Sequence, residues 1–268
     1  MSERRTVPAE VYDREYLLSE NVEGFHEFRE GKLSLVKERQ IEALDLGPGT
    51  KLLEVGVGRG EFLRRCAQIG AKVTGIDYSP DAIGISRETL SAFPESDLRV
   101  ADCRDLPFAD ESFERVASGD VIEHIDAEDG ISMLKEMFRV LAPGGKMLVH
   151  TAPNTVFTRG VYPILKPILR MIDANSITAL EEHMRVNLTV HVHEYNQLSL
   201  RRAAREADLP HPRVWIHADL LRSGAHRHTR SLESHPLGRF AAMLGNIAVA
   251  RFFLGNDLFV EVSKPERR

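Results

Sequence analysis

Cysteine is scarce in this chain. Two thiols, Cys66 and Cys103, in 268 residues exclude a disulfide framework and point to a reducing, cytoplasmic setting. Positive charge is not in excess either. Lys and Arg number 35 against 40 Asp and Glu, a net charge of −5, so nothing attracts the chain to nucleic acid in general and no such partner is expected. No apolar run is long enough for a transmembrane segment. The first residues, Met1-Ser2-Glu3-Arg4-Arg5-Thr6, lack the apolar stretch of a secretory leader. Internal repeats and low-complexity tracts are missing, as is the phosphate-binding signature G-x-x-x-x-G-K-S/T. What remains is a chain of ordinary apolar content, long enough for a full core and read as one domain with an insertion.

Its most informative stretch is Leu52-Leu53-Glu54-Val55-Gly56-Val57-Gly58-Arg59-Gly60-Glu61-Phe62. A short apolar run enters three alternate glycines and then an apolar-periodic segment, which reads as buried strand, tight turn and helix start. Glycines there let a ligand lie against bare main chain, and the N–H groups of the helix start face it. A dinucleotide site needs G-x-G-x-x-G. Here the third required position is Glu61, and the last glycine comes one residue early, at Gly60. Glu54 and Glu61 repel a pyrophosphate. They suit a ligand with positive charge, such as S-adenosylmethionine with its sulfonium and α-ammonium. A turn that binds nothing is the alternative at this point.

Three further strands each end in an acid. Residues 71–76 run into Asp77, residues 97–101 into Asp102-Cys103, and residues 113–118 into Gly119-Asp120. In an open parallel sheet the ligand crevice lies beyond the carboxyl ends of the strands, and an acid closing the second strand is placed for ribose hydroxyls. Tyr78, next to Asp77, is placed to pack on an adenine. Ser79-Pro80 reads as a helix N-cap with proline in the first turn.

The segments LLEVGVGRGEF, VTGIDYS, ADCRDLPFADESF, GDVIEHI and MFRVLAPGGKMLVHTAPN together resemble the successive motifs of the class I S-adenosylmethionine-dependent methyltransferases. The likeness covers roughly residues 45–155 and is to the small-molecule branch that includes ubiquinone- and polysaccharide-pathway enzymes. It implies an α/β, three-layer Rossmann-like fold with a mostly parallel seven-stranded sheet, an antiparallel last strand and a helical cap. It also implies roles. Glu54, Gly56, Val57, Gly58 and Gly60 surround the methionine part, Asp77 holds the ribose, and Tyr78 flanks the adenine. Asp102 and the Cys103 backbone read the adenine edge, and Asp120 sits beneath the reaction centre.

Outside the core, residues 1–10 are expected to be frayed. Residues 1–46, with Tyr12, Tyr16, Phe25 and Phe28 among charges, read as a helical lid or as an ordinary edge helix. The methyltransferase domain is expected over 47–268. Residues 131–141 read as a helix, Ala142-Pro143-Gly144-Gly145 as a turn and 146–151 as the fifth strand. Residues 155–190 break the strand–helix rhythm and read as a cap insertion. Within it, 159–172 is apolar with cations, either an amphipathic segment for a lipid-bearing substrate or membrane surface, or a cap packed on the protein and kinked at Pro167. Helices are expected over 197–209 and 240–254, and strands over 213–217 and 258–262. Residues 217–235 hold His217, His226, His228 and His235 with Arg222, Arg227 and Arg230, read as a solvated basic loop.

Catalysis centres on Asp120-Val121-Ile122-Glu123-His124 and on a later His191-Val192-His193-Glu194-Tyr195. Read as a short strand, the second segment puts His191 and His193 on one face. Acid-x-x-Glu-His with a distant His-x-His is similar to the metal site of the plant-type small-RNA 2′-O-methyltransferases. That likeness implies a divalent cation, Mg²⁺ or Mn²⁺, on Asp120, Glu123, His124 and His193. Two other readings stand beside it: His124 as a metal-free general base with Glu123 and His193 in support, or a structural Glu-His pair. The activity expected is O-methylation of a small hydroxyl-bearing substrate, a sugar derivative or natural product. N- or C-methylation, or a cofactor-binding subunit without activity, are the alternatives.

Overall fold

The protein is described by a computed structural model that covers residues 7–20, 22–217 and 252–267. Three short helices, α1 (Arg14–Leu17), α2 (Phe25–Arg29) and α3 (Leu35–Leu44), precede an alternation of strands and helices: β1 (Lys51–Val55), α4 (Glu61–Ile69), β2 (Lys72–Asp77), α5 (Pro80–Thr89), β3 (Asp97–Val100) and β4 (Phe113–Gly119). A 3₁₀ turn at Ile122–His124 leads into α6 (Ala127–Val140) and β5 (Leu141–Thr151). Then come α7 (Tyr162–Ile172), α8 (Ala174–Val190), α9 (Gln197–Glu206), β6 (Arg213–His217) and β7 (Asp257–Ser263). One seven-stranded sheet has the order β3-β2-β1-β4-β5-β7-β6. All pairings are parallel except those of β7, which runs antiparallel to β5 and β6. This is the expected sheet.

Strand periodicity divides the core into two faces. Leu53, Val55, Val149 and Val260 point to the layer of α6 and α9, where Met133, Met137 and Leu200 are buried. Their neighbours Leu52, Leu148 and Phe259 point the other way, onto Val36, Leu44, Leu63 and Cys66 of α3 and α4. Both faces are covered, which is why these strands read as continuous apolar runs. Helix starts follow their caps. Ser79 accepts from the Ala82 N–H, Asp126 from the Asp129 N–H, and Asn196 forms a reciprocal capping box with Ser199.

Several expectations are corrected. α3 belongs to the core rather than to a lid, because Val36 and Leu44 are buried among strand residues. Val7 is buried and Ala9–Val11 form a 3₁₀ turn, so residues 7–10 are not frayed; residues 1–6 lie outside the described residues. The sixth helix begins at Ala127, not 131, because Asp126 caps it. No separate turn splits residues 142–145 from the fifth strand. Gly144 adopts φ +75° within that strand, and its N–H donates to the Lys264 carbonyl. Residues 191–196 form no strand. α7 continues through Pro167, and α7 and α8 pack against each other. Ile164, Ile168 and Met171 recur on one exposed face of α7. The basic loop after His217 and most of the helix expected over 240–254 lie outside the described residues. Among the described residues no helix is long and apolar enough to cross a membrane.

Candidate active site

The glycine loop joins β1 to α4 at the carboxyl edge of the sheet. Gly56 has φ +83°, and a Cβ there would lie 2.1 Å from Val121 Cγ2, so backbone angle and space both demand glycine. Gly60 has φ +79°, and a Cβ would press on Ser86 at 3.0 Å. Gly58 has φ +52° and open space where a Cβ would stand. Its N–H donates to Asp77 Oδ2 at 3.0 Å, and Asp77 Oδ1 accepts from the Ser79 N–H. Asp77 therefore fixes the loop from the end of β2 and is itself buried.

Beneath the loop lies a buried charge cluster. Glu61 pairs with Lys37 and accepts from Arg59 Nη2 at 2.8 Å. Burial opposes its ionisation, but Lys37 and then Arg59 outweigh burial and hold the carboxyl at about 2. Glu54 has no such partner. Burial pushes its carboxyl well above the usual range, and its Oε2 is buried without a hydrogen bond, as is Arg59 Nη1. A carboxyl oxygen of Glu54 and a guanidinium nitrogen of Arg59, both buried without a hydrogen bond among the described residues and beside open backbone, fit the zwitterionic end of an amino acid. The residues present thus suit S-adenosylmethionine.

The adenine side is less tidy. Asp102 is gripped by Arg104, whose Nε and Nη2 lie 2.6–3.0 Å from its carboxylate oxygens, and Arg104 Nη1 reaches Asp129 at 2.8 Å. That grip holds Asp102 below the usual carboxylate range. Burial lifts the Cys103 thiol to about 12, so it stays protonated at neutral pH. Tyr78 is partly exposed; its hydroxyl donates to the Val7 carbonyl at 3.2 Å and its ring meets Tyr12 edge-on at 5.6 Å. The N-terminal strap crosses here. Ser79 Oγ donates to the Tyr12 carbonyl at 2.7 Å, and Arg14 grips Glu88 of α5 with both terminal nitrogens.

A second group of polar side chains is assembled from distant segments. Tyr12 Oη lies 2.8 Å from His124 Nδ1, and the Val190 carbonyl oxygen lies 3.0 Å from the same nitrogen. A carbonyl only accepts, so Nδ1 carries the proton and Nε2 the lone pair. Burial first, then His191 at a ring distance of 5.1 Å, pushes His124 down to about 4. Burial and then the Asp120 charge raise Glu123 to about 7, while Thr151 Oγ1 donates to Glu123 Oε2 at 2.8 Å. Glu123, His124 and His191 each bring one donor atom within 4.8 Å of the others.

That grouping differs from the one anticipated. His191, not His193, joins Glu123 and His124. Without a strand at 191–196 the two histidines need not share a face, and His193 turns onto Tyr195, ring to ring at 4.6 Å. Asp120 is outside the group as well. It adopts φ +55° at the end of β4 and lies 3.0 Å from His150 Nδ1. Burial works against its ionisation, but His150 outweighs it and holds the carboxyl at about 2. His150, Thr151, Lys37 and Arg59 were not anticipated at all. The one signal was a histidine inside the apolar run of β5.

An open α/β sheet with a glycine loop after its first strand and a buried acid closing its second defines a Rossmann-like cofactor-binding protein. Residues 53–149 match the family described as "Methyltransferase domain", so the central part of the chain is a methyltransferase domain. It is 29% identical over 131 residues to a ubiquinone/menaquinone biosynthesis C-methyltransferase of Geotalea daltonii, covering 46% of this chain and 54% of that protein. The chain spans about half the length of the curated relatives it matches. Phosphoethanolamine N-methyltransferase 2 of Haemonchus contortus, solved with S-adenosyl-L-methionine, superposes with a TM-score of 0.60 at 18% identity, over 96% of this chain and 57% of that one. The [4+2]-cyclase SpnF superposes at 0.58 and 17% identity, over 87% and 80%. At such identities the superpositions speak for the fold alone.

Proposed function

We propose that this chain transfers the methyl group of S-adenosylmethionine to a hydroxyl oxygen of a small molecule, a sugar derivative or natural-product scaffold, in the cytoplasm. The observation that carries this reading is His124, a half-buried imidazole held neutral, with Nδ1 engaged by Val190 and Tyr12 and Nε2 left to take a proton. The cofactor supplies an electrophilic methyl carbon whose leaving group is a neutral thioether, so the protein's tasks are alignment and proton removal. Glu54, the backbone of Gly56, Val57, Gly58 and Gly60, and Asp77 bind and orient it. Tyr78, Asp102 and the Cys103 backbone border its adenine. His124 Nε2 removes the acceptor's proton. Tyr12 and Val190 hold the ring, Glu123 and His191 flank it, and His193 has no contact that supports a part in the step.

A second reading has the methyl group delivered to a ring carbon made nucleophilic by loss of a neighbouring hydroxyl proton. The quinone-pathway C-methyltransferase among the relatives supports it, and the same base serves both. A divalent ion on Glu123, His124 and His191 would polarise the acceptor oxygen instead. The fold of a cyclase keeps a non-methylating role in view.

The test is turnover of methyl-labelled S-adenosylmethionine against a panel of hydroxylated sugars, phenols and quinols, with the product carbon placed by NMR. A methoxy signal supports the first reading and a ring methyl the second. Loss of turnover with EDTA, restored by Mg²⁺ or Mn²⁺, marks a metal. Cofactor binding without turnover of any acceptor overturns the enzymatic reading.

A further inference from the structure

We propose that His150 is a positioning residue of the acceptor site: an imidazolium set between Asp120 and Asp257 that fixes the Asp120 carboxylate at the end of β4. The inference rests on the reading of these strand ends as the methyl-acceptor site. His150 lies near the end of β5 and is 1% exposed. Its Nε2 is hydrogen-bonded to Asp257 Oδ1 at 3.3 Å, and its Nδ1 lies 3.0 Å from Asp120 Oδ1, at ion-pair distance but outside hydrogen-bond geometry. A neutral ring would leave one of two largely buried carboxylates without a positive partner. Buried charges persist only when paired, so two carboxylates on either side of the ring favour an imidazolium.

Main chain and side chain act together here. The Asp120 N–H donates to the His150 carbonyl at 3.2 Å. Asp120 therefore meets the same residue through its backbone and its carboxylate. Its left-handed φ of +55° costs energy in a residue with a side chain and persists only where the surroundings determine it. The Asp120 side chain remains 29% exposed. The next residue, Thr151, donates to Glu123. Alternation along β5 thus sends two consecutive side chains to the two carboxylates of the Asp-x-x-Glu segment, one each. Asp257 opens β7, and Phe259 of the same strand lies against the His150 ring at 4.8 Å. Packing and charge hold the imidazole from behind.

Asp120 then offers the acceptor a fixed, ionised hydrogen-bond acceptor instead of a mobile carboxylate. A fixed group loses no freedom when substrate arrives, which is what alignment requires. Without His150 the carboxylate is free to turn and easier to protonate.

The experiment uses the full chain with S-adenosylhomocysteine as probe. In ¹⁵N-histidine-labelled protein at about pH 8, above the titration range of a free imidazole, His150 is expected to show two protonated ring nitrogens, identified by their loss in H150Q. The Asp120 carboxyl, followed by ¹³C NMR, is expected to titrate at least about tenfold more easily in H150Q than in the parent protein. S-adenosylhomocysteine affinity is expected to stay within about twofold. Should H150Q fail to fold, D257N serves, with loss of the doubly protonated ring as the expected result. A singly protonated His150 in the parent, or an Asp120 titration unmoved by the substitution, overturns the proposal. Failure of the methyl-transfer reading is seen separately, as S-adenosylhomocysteine that does not bind at all.

Discussion

Gly56, Gly58 and Gly60 sit within a single turn, and the acid that fixes them, Asp77, closes the adjacent strand. On the other side of the cleft, Tyr12, the segment holding Asp120 and His124, His150 and Val190 come from distant parts of the chain and meet only in the folded protein. The first half works through backbone: φ angles, close approach and bare N–H groups. The second works through side chains, each held by another. Backbone sites are written locally and tolerate little, because a single Cβ collides. Side-chain sites are written in pieces, and each piece can be removed with the rest left standing.

That contrast is tested most severely at His124. Replacement by Asn is expected to lower turnover by about 10²–10⁴-fold, the range for a lost general base, with S-adenosylhomocysteine affinity unchanged by calorimetry. An equal loss in affinity would merge the two halves. Gly56→Ala is the converse. Collision with Val121 and the strained backbone together cost about 3 kcal/mol or more, so S-adenosylhomocysteine binding is expected to weaken at least about 100-fold. Gly58→Ala, with open space for its methyl group, is expected to cost less; equal losses would show that the loop does not discriminate between its glycines.

Asp77→Ala removes a carboxylate bonded to two backbone N–H groups and is expected to weaken the same binding by about 1–3 kcal/mol, the cost of unpaired buried polar groups. Tyr12→Phe deletes one hydrogen bond to His124. Turnover is expected to fall by roughly 3–10-fold, the worth of about 1 kcal/mol, with cofactor affinity little changed. A larger fall would make Tyr12 a partner in proton transfer rather than a brace.

An effect of a different kind falls on stability in acid. Glu61 is depressed to about 2 in the folded protein, against about 4.3 in an unfolded chain. A depressed carboxyl contributes stability that is complete above the unfolded value and fades as pH falls from about 4.3 toward 2. Glu61→Gln is therefore expected to flatten that part of the stability–pH curve, measured by urea unfolding between those limits. An unchanged slope would detach the Lys37–Glu61–Arg59 cluster from folding.

Local signals carried far. The glycine spacing, the apolar strands and the acids at their ends made the sheet, its loop and Asp77 legible, because each depends on neighbours in the chain. The Ser79-Pro80 cap held for the same reason. Where a local pattern was pressed to report a distant contact, it went astray. The alternation at His191 and His193 suggested one strand face, yet that segment turns, and His191 alone reaches His124. α3 looked like part of a lid because aromatics and charges precede it, although its own Val36 and Leu44 seek the sheet.

By itself, then, the sequence determined the alternating strands and helices, the glycine turn that only glycine can make, and the acid placed to meet it, all set by periodicity and backbone sterics. The tertiary structure alone decided which histidine joins Glu123 and His124, that Tyr12 reaches across to the same ring, and that His150 stands between two carboxylates. Those choices depend on which chain segments share a buried, low-dielectric space, and there an unpaired charge or polar group costs more than its position in the sequence reveals.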